Sequence, residues 1–477
     1  MANRPSASLA EAFERALGEI WTRISVSAAA YLESSALAIA YSGGLDSSVL
    51  LHLAQAYAQR HGIRLYAFHI HHGLSPHADA WLAHCRDECA RLGIGFDARR
   101  ILVSAHRMCG VEEAARLARY AALGDLCRQY GISMLLTAHH QDDQAETVLL
   151  QLLRGAGVAG LSGMDAVNAA PALLGDESLR MARPLLGVAR AELAEFAFAN
   201  GIAHVDDESN ADSRYARNAL RHQVMPVLEK VFPGAAHRIA RSAGHAQAAH
   251  ALLQEVAAQD LAACAQDGSI DLRRLSGLSD ARIDNVLRYW LMQGGFRMPS
   301  TAWLAEMRAQ VFSAQEDARV CVTHPEVCIR RHRGRIFLTA HDEVTKEAEI
   351  GFRWSGESEI RFPSFRGTLH FEGAEQGIDP AWLREQELLL HWRRGGERLK
   401  PAPNRPTRSL KHHYQSRDIP AWERERLPLL SAAGRLVYAA GIGMDCHCPS
   451  REAGVVLRWE ADPASLSACH FAPQKVD

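Results

Sequence analysis

No apolar run in this 477-residue chain approaches the roughly 20 residues that span a bilayer, so no membrane-crossing helix is expected. Met1 to Val26 carries acidic residues and no long apolar core, so it does not read as a secretory signal, and a reducing cytoplasm is the expected compartment. A one-sided charge is missing too. Lys+Arg 53 against Asp+Glu 55 leaves a net charge of -2, so any surface for nucleic acid has to be local. The 10 cysteines are spread thinly, without the density of a small disulfide scaffold. What remains is a chain with 48% hydrophobic and 23% charged residues, ordinary for a soluble protein and long enough for about two to three domains.

One further absence matters more. The turn Ser42-Gly43-Gly44-Leu45-Asp46-Ser47 has no lysine behind its glycines, so it is not the GxxxxGK[ST] loop of the P-loop NTPases. It follows the apolar run Ala36 to Ala40, read as a buried parallel strand, and precedes a helix that starts near Ser48. Strand, glycine turn and helix N-terminus together make an anion site, because the backbone N–H groups converge and the helix dipole favours negative charge. Ser42 and Ser47 add hydroxyls. Asp46 beside phosphates makes sense when a hard cation such as Mg2+ lies between them. The bland reading is a tight turn without a ligand. The pattern Ser-Gly-Gly-x-Asp-Ser resembles the PP-loop of the N-type ATP pyrophosphatases, which implies that ATP is bound through its pyrophosphate.

Downstream, strands and helices alternate. Arg64–Ile70, Gly95–Val103 and Ile132–Ala138 read as strands; a lead-in helix over Leu9–Ala30 and helices over Ser75–Leu92 and Glu112–Tyr130 surround them. That alternation predicts a doubly wound, mostly parallel, Rossmann-like α/β sheet, with its ligand beyond the carboxyl ends of the strands. Three polar clusters fall at strand ends: Ser42–Ser47, His69–Gly73 and His139–Glu146. In the third, Asp143 and Glu146 are three apart and share a helix face. With Asp142 they either bind a cation, a metal or a substrate ammonium, or they cap the helix with Asp142 as N-cap. His69, His71 and His72 have no nearby cysteine or carboxylate to complete a zinc set. Gly155, Gly157 and Gly160 match GxGxxG but end a helix, so they are read as a helix terminus and loop. The polar stretch from Asp206 to Arg221 reads by composition as surface.

From Pro226 the pattern changes to long helices, Ala235–Ala265, Ala281–Gln293 and Ser300–Phe312, with no strand between them, and then to a hairpin over Arg319–Leu338. Beyond about Val344 the chain is β-rich. The expected organisation is a catalytic domain over 1–225, a helical linker and middle domain over 226–343, and a smaller β-rich α+β domain over 344–477. In the last lies a basic run, Arg393, Arg394, Arg398, Lys400, Arg405, Arg408, Lys411 and Arg417, interleaved with Trp392, His412, His413 and Tyr414. It is either a solvated proline-containing loop or a surface for phosphates and unpaired bases. Cys446-His447-Cys448 is too tight for a zinc pair and is read as incidental.

With these motifs in order, the chain resembles the tRNA(Ile)-lysidine synthetase family over most of its length. The resemblance is carried by His69-Ile70-His71-His72-Gly73-Leu74, Ala115-Arg116 with Arg119-Tyr120, Thr137–Gly157, Arg183-Pro184-Leu185-Leu186, Asp207-x-Ser209-Asn210 with Arg217-Asn218-x-x-Arg221, and the C-terminal Arg394–Arg398, Leu410-Lys411 and Ile419–Arg424. It implies an ATP-dependent ligase that adenylates C2 of the wobble cytidine in a CAU-anticodon tRNA(Ile) and then joins L-lysine to it, releasing pyrophosphate and AMP and switching codon reading from AUG to AUA. It implies that Asp143 and Glu146 hold lysine, that Asp46 and Asp142 hold Mg2+, that Asp46, Asp143, Arg116 and Arg217 serve the chemistry, and that Arg393, Arg394, Arg398, Lys400, Arg408 and Lys411 meet tRNA. The oligomeric state, monomer or homodimer, stays open. The rivals are another PP-loop ligase, such as a tRNA 2-thiolation enzyme or a GMP synthetase, and an inactive tRNA-binding protein. A thiolase needs placed cysteines, and Cys85 and Cys89 share a helix face without an evident redox partner. No amidotransferase module precedes the glycine turn, and the acids Asp46, Asp142, Asp143 and Glu146 argue against decay.

Overall fold

The first half of the chain alternates strand and helix. In this computed structural model, which describes residues 8–27, 36–73, 75–101, 111–206, 214, 216–315, 320–341 and 349–462, the first elements are α1 (Leu9–Ser27), β1 (Ala36–Ala40), α2 (Leu45–His61), β2 (Arg64–His71), α3 (Ala78–Leu92) and β3 (Gly95–Arg100). Then come α4 (Val111–Gln129), β4 (Met134–Leu136), α5 (Gln141–Leu153), α6 (Val158–Leu161), β5 (Val167–Ala169), α7 (Pro171–Leu174), β6 (Arg180–Ala182) and α8 (Arg190–Ala199). After α9 (Ala216–Ala219) a single π turn, Leu220–Val224, leads into α10 (Met225–Val231) and the 30-residue α11 (Ala235–Cys264).

The sheet runs β3-β2-β1-β4-β6-β5, parallel except for β5, which is antiparallel to β6. Side chains that alternate along each strand sort into two cores. Leu37, Ile39, Leu65, Ala67, Met134 and Leu136 pack with α1, α2, α3 and α8. Ala36, Ala38, Phe68, Ile70 and Leu135 pack with Tyr120, Leu123 and Leu126 of α4 and Leu174 of α7. Apolar residues on both faces are what a parallel sheet covered by helices requires, and the expected doubly wound fold is what forms. Because β1 lies between β2 and β4, its two neighbours are reached in opposite directions. The switch point therefore sits at the ends of β1 and β4.

The chain divides into two compact units, Met1–Leu252 and Leu253–Asp477. In the second, a five-stranded antiparallel sheet has the order Ala265–Gln266, Ser269–Asp271, Arg335–Thr339, Cys328–His332, Cys321–Thr323, with Leu287, Trp290, Met307, Ile329 and Ile336 in its core. The first two strands were not expected between the long helices. Each is too short to show a period, yet Asp267-Gly268, with φ of 49° and 73°, is an Asp-Gly hairpin turn. Another five-stranded sheet follows, in the order Glu349–Phe352, Leu388–His391, Leu429–Ala432, Arg435–Ala439, Gly443–Met444, beside a long ribbon of Gly367–Ile378 with Ser450–Ala461.

Element ends differ from expectation by a few residues. The lead-in helix stops at Ser27, and 28–30 lie outside the described residues; the third strand stops at Arg100, and 102–103 lie outside as well. Leu74, Asp207, Ser209 and Asn210 of the family-like motifs also fall outside them. No helix among the described residues is long and apolar enough to cross a membrane.

Candidate active site

The Tyr41 N–H bonds the Phe68 carbonyl at 2.9 Å, carrying the parallel ladder one residue beyond β1 before the chain turns. Gly43 makes the turn with φ of 86°, and a Cβ there would stand 2.8 Å from Cys85 Sγ and 3.2 Å from Val205 Cγ2. Only glycine fits. The Gly43 carbonyl accepts from the Val205 N–H (2.9 Å) and the Ser48 hydroxyl (3.2 Å), and the Gly44 carbonyl accepts from the Ser47 hydroxyl at 2.9 Å. The carbonyls thus point into the protein. The Ser42 and Ser47 hydroxyls lie 3.0 Å apart, and α2 begins at Gly44 without a side-chain cap. Its first N–H groups are left for a ligand.

From the end of β4 the second wall enters. His140, not Asp142, is the N-cap of α5: its backbone N–H donates to Asp143 Oδ2 at 3.1 Å. The ring of His140 is almost wholly buried, and three carboxylates surround it. Nε2 lies 3.3 Å from Asp143 Oδ2 and 3.7 Å from Asp46 Oδ2, while Nδ1 lies 3.6 Å from Asp142 Oδ2. Burial alone pushes this imidazole down, but Asp142, Asp46 and Asp143 outweigh it and raise its pKa to about 9. The Asp143 N–H also approaches Nδ1, at 3.4 Å, which would need a lone pair that an imidazolium lacks. With three acids around it the charged ring is favoured, and the cap rests on the Asp143 carboxylate. Asp142 accepts in turn from the Arg190 N–H at 2.9 Å, and the Arg190 side chain stands 3.7 Å from Asp46 Oδ1.

Asp143 and Glu146 share one face of α5, and two arginines meet them. Arg217 Nε donates to Glu146 Oε2 at 3.0 Å, Arg221 Nε to Glu146 Oε1 at 2.7 Å, and Arg221 Nη2 to Asp143 Oδ1 at 2.8 Å. Glu146 is 2% exposed, against 36% for Arg217 and 28% for Arg221. Burial pushes the Asp143 carboxyl up, but His140, Arg217, His139 and Arg221 together hold it below its usual value. Burial pulls the Arg221 guanidinium down, and Glu146 and Asp143 raise it above its usual value. The two arginines are four residues apart, and the π turn that begins at Leu220 lets both side chains reach α5.

Of the residues singled out in the sequence, Ser42, Gly43, Gly44, Asp46, Ser47, Asp142, Asp143, Glu146 and Arg217 therefore stand at one rim. Among the described residues Arg116 makes no hydrogen bond or ion pair with them: it lies on α4, 3.3 Å from Glu113 and over the Tyr120 ring at 5.6 Å. His140 and Arg190 were missed, as was the role of Arg221. A His-x-x-Asp spacing at a helix start is a capping-box signal in an unusual residue, whereas Arg190 carries no local signal at all. Cys85 and Cys89 are buried, and burial pushes both thiols up to about 12. Such thiols are not nucleophiles at neutral pH.

The residues fit a metal-bound polyphosphate. Asp46 Oδ1 is buried and accepts no hydrogen bond, and it stands beside the uncapped start of α2, where phosphates would lie.

A PP-loop domain family matches residues 9–228. A tRNA(Ile)-lysidine synthase of Ralstonia nicotianae is 42% identical over 448 residues, covering 91% of this chain and 95% of that one. The chain belongs to the tRNA(Ile)-lysidine synthase family. The enzyme of that name from Coxiella burnetii is 37% identical over 88% of this chain and 91% of its own length. Two further families, the TilS substrate binding domain and the TilS substrate C-terminal domain, match residues 270–337 and 388–459. Among solved structures, the U34-tRNA thiolase of Methanococcus maripaludis aligns with a TM-score of 0.37 at 18% identity, over 44% of this chain and 70% of that one. That likeness is too loose to argue from.

In the C-terminal region that matches this family, the basic run folds around a small ribbon, Arg398–Leu399 paired with Arg408–Ser409. Arg393 lies 3.7 Å from Glu397, Arg394 pairs with Glu349, Arg398 donates to the Thr407 carbonyl, Arg408 meets His412, and Lys411 is exposed on the helix Leu410–Ser416. The Lys400 N–H donates to Asp445 Oδ2 at 2.9 Å. Asp445 also orients His447, through Nδ1 at 2.8 Å, and brings it beside Cys446, with donor atoms of the three within 4.8 Å of one another.

Proposed function

We propose that this chain ligates L-lysine to C2 of the wobble cytidine of a CAU-anticodon tRNA(Ile), using ATP, to form lysidine. The observation that carries this reading is the meeting of Asp46 from the β1 turn and Asp143 from the β4 turn around one buried imidazole, at the rim where α2 presents open N–H groups. The turn Ser42–Ser47 binds the pyrophosphate part of ATP through those N–H groups and hydroxyls. Asp46 and Asp142 are the residues to hold Mg2+, which when bound neutralises phosphate charge. The charged His140 ring holds the two carboxylates that face its Nε2, Asp46 and Asp143, in place.

The cytidine C2 oxygen is a poor leaving group, and transfer of AMP to it, with loss of pyrophosphate, makes it a good one. The lysine amine then forms the new C–N bond at C2, AMP departs, and a carboxylate of the cluster takes the amine proton. Asp143 and Glu146 are the cation site for lysine. Both are now answered by arginines, so an incoming ammonium takes the place of a guanidinium. Arg217, the more exposed, is the one to yield, and turning outward it faces phosphate or the developing oxyanion, as does Arg116 from α4. The basic run with Arg393, Arg394, Arg398, Lys400, Arg408 and Lys411 contacts tRNA phosphates.

The buried thiols Cys85 and Cys89 weigh against a thiolation enzyme. One assay separates the readings. The protein is incubated with candidate tRNAs, ATP and radiolabelled lysine, cysteine or ammonia. Lysine transfer to the CAU-anticodon tRNA alone, lost in Asp46→Ala and Asp143→Ala, supports the ligase; transfer of sulfur or ammonia, or none, overturns it.

A further inference from the structure

On the other flank of the first turn of α5 a cleft of about 400 Å3 opens between α1, the Arg183–Gly187 turn and α11. Its charged lining is lopsided: Arg23, Arg183 and Arg241, with His237, face the single carboxylate Glu19. The uncharged polar side chains are already engaged. Gln247 donates to the Ser162 and Met164 carbonyls at 2.9 and 3.0 Å, Gln144 bonds the Met164 N–H and carbonyl at 2.7 and 2.9 Å, and the Gln141 amide donates to the Gly187 carbonyl at 3.3 Å. Little is left that could read the edge of a base. The side chains of His237 and Arg241, by contrast, make no hydrogen bond, ion pair or ring contact among the described residues.

Two glycines line the same cleft. Gly244 stands well inside the 30-residue α11, where glycine is the least favourable residue save proline, and a Cβ there would meet nothing within 4 Å. A Cβ on Gly187 would meet nothing either. No packing inside the protein asks for glycine at these two places. Bare backbone on facing walls of a cationic cleft is what a bulky anion needs to come close.

We propose that this cleft is a binding site for a backbone phosphodiester of the RNA substrate, close along the chain to the nucleotide whose base enters the carboxylate cluster. Gln141 sets the proximity: it lines the cleft and directly follows His140, the residue at the centre of the cluster. Arg241 and Arg23 supply charge and His237 a ring donor, so the contact positions the RNA without reading its sequence. The inference rests on RNA being the substrate, as in the function proposed above.

The test is binding of a CAU-anticodon stem-loop RNA to the full chain over a salt series, without ATP or lysine. Arg241→Ala is expected to weaken binding about tenfold at moderate salt and to reduce the slope of log affinity against log salt by about 1. Gly244→Leu keeps every charge and is the better helix former, so its thermal unfolding holds or rises while a side chain fills the cleft; it is expected to weaken binding at least as much. In the lysine ligation assay both variants raise KM for tRNA and leave KM for ATP unchanged. Wild-type affinity and slope in either variant overturn the proposal, and so does weaker binding with an unchanged slope in Arg241→Ala. Inorganic pyrophosphate is the competing anion: if the variants relieve its inhibition without touching RNA binding, the cleft serves pyrophosphate and the proposal is wrong. Because binding is read without chemistry, a chain that holds the stem-loop through this cleft but ligates no lysine would sink the ligase reading alone.

Discussion

Removing the Glu146 carboxylate tests how the acid pair is held. Its oxygens accept from Arg217 Nε at 3.0 Å and from Arg221 Nε and Nη2 at 2.7 and 3.0 Å. Three charge-assisted bonds at about 1.5–3 kcal/mol each would overshoot, since both guanidiniums can be rehydrated once freed. Taking one partner from a buried pair costs about 3–5 kcal/mol. With the arginines 28% and 36% exposed, the lower end applies, so about 3 kcal/mol is expected for Glu146→Ala and about 2 kcal/mol for Glu146→Gln, which keeps one acceptor. The chain has two compact units, so global unfolding is a poor gauge. Hydrogen exchange at the amides of Gln141–Leu153 reads the local free energy directly. A double-mutant cycle of Glu146→Gln with Arg221→Met isolates the pair, with a coupling of about 1–2 kcal/mol. A coupling below about 0.3 kcal/mol would refute the geometry, because it would mean that the guanidinium does not rest on this carboxylate in solution.

Three other outcomes are expected. Gly43→Ala puts a methyl 2.8 Å from the Cys85 sulfur at a φ of 86°, so it should cost about 2 kcal/mol and abolish tRNA-dependent pyrophosphate release, checked by exchange at α2 and by a coupled pyrophosphate assay. Asp46→Asn keeps the shape and takes charge from an oxygen that accepts no hydrogen bond, so pyrophosphate release should fall about a hundredfold, while loss of the 3.7 Å pairings with His140 and Arg190 should cost no more than about 1 kcal/mol; a larger loss of thermal stability would count against a ligand role. His69 is buried and donates through Nδ1 to the Tyr41 carbonyl, yet burial pushes its pKa from 6.5 down to about 4. Only the unfolded chain then takes up this proton between those values, so stability falls as pH drops from 6.5 to 4, by about 3 kcal/mol in all. His69→Asn should flatten that part of the profile, measured as the difference in unfolding free energy between the two proteins across this window.

Local chemistry made much of this readable from residues alone. A five-residue apolar run, two glycines and a helix start announce a strand, a turn and an anion site, because each depends on neighbours a few positions away. The near-continuous burial of β1 and β2, on both faces of the sheet, follows from the same apolar runs. The Asp267-Gly268 hairpin is equally local, but the strands it joins span only two and three residues, too few to show a period.

What the chain order determined by itself was the kind of fold, the presence of a phosphate turn and the acids that belong with it. Only the folded molecule decided who answers those acids. Arg217 and Arg221 read as surface by composition, and His140 reads only as a member of the polar cluster at a strand end, with no partner assigned. Tertiary packing put the two arginines on Glu146 and buried the imidazole among Asp46, Asp142 and Asp143. The physical reason is that burying a carboxylate demands a partner but does not specify from where along the chain it comes.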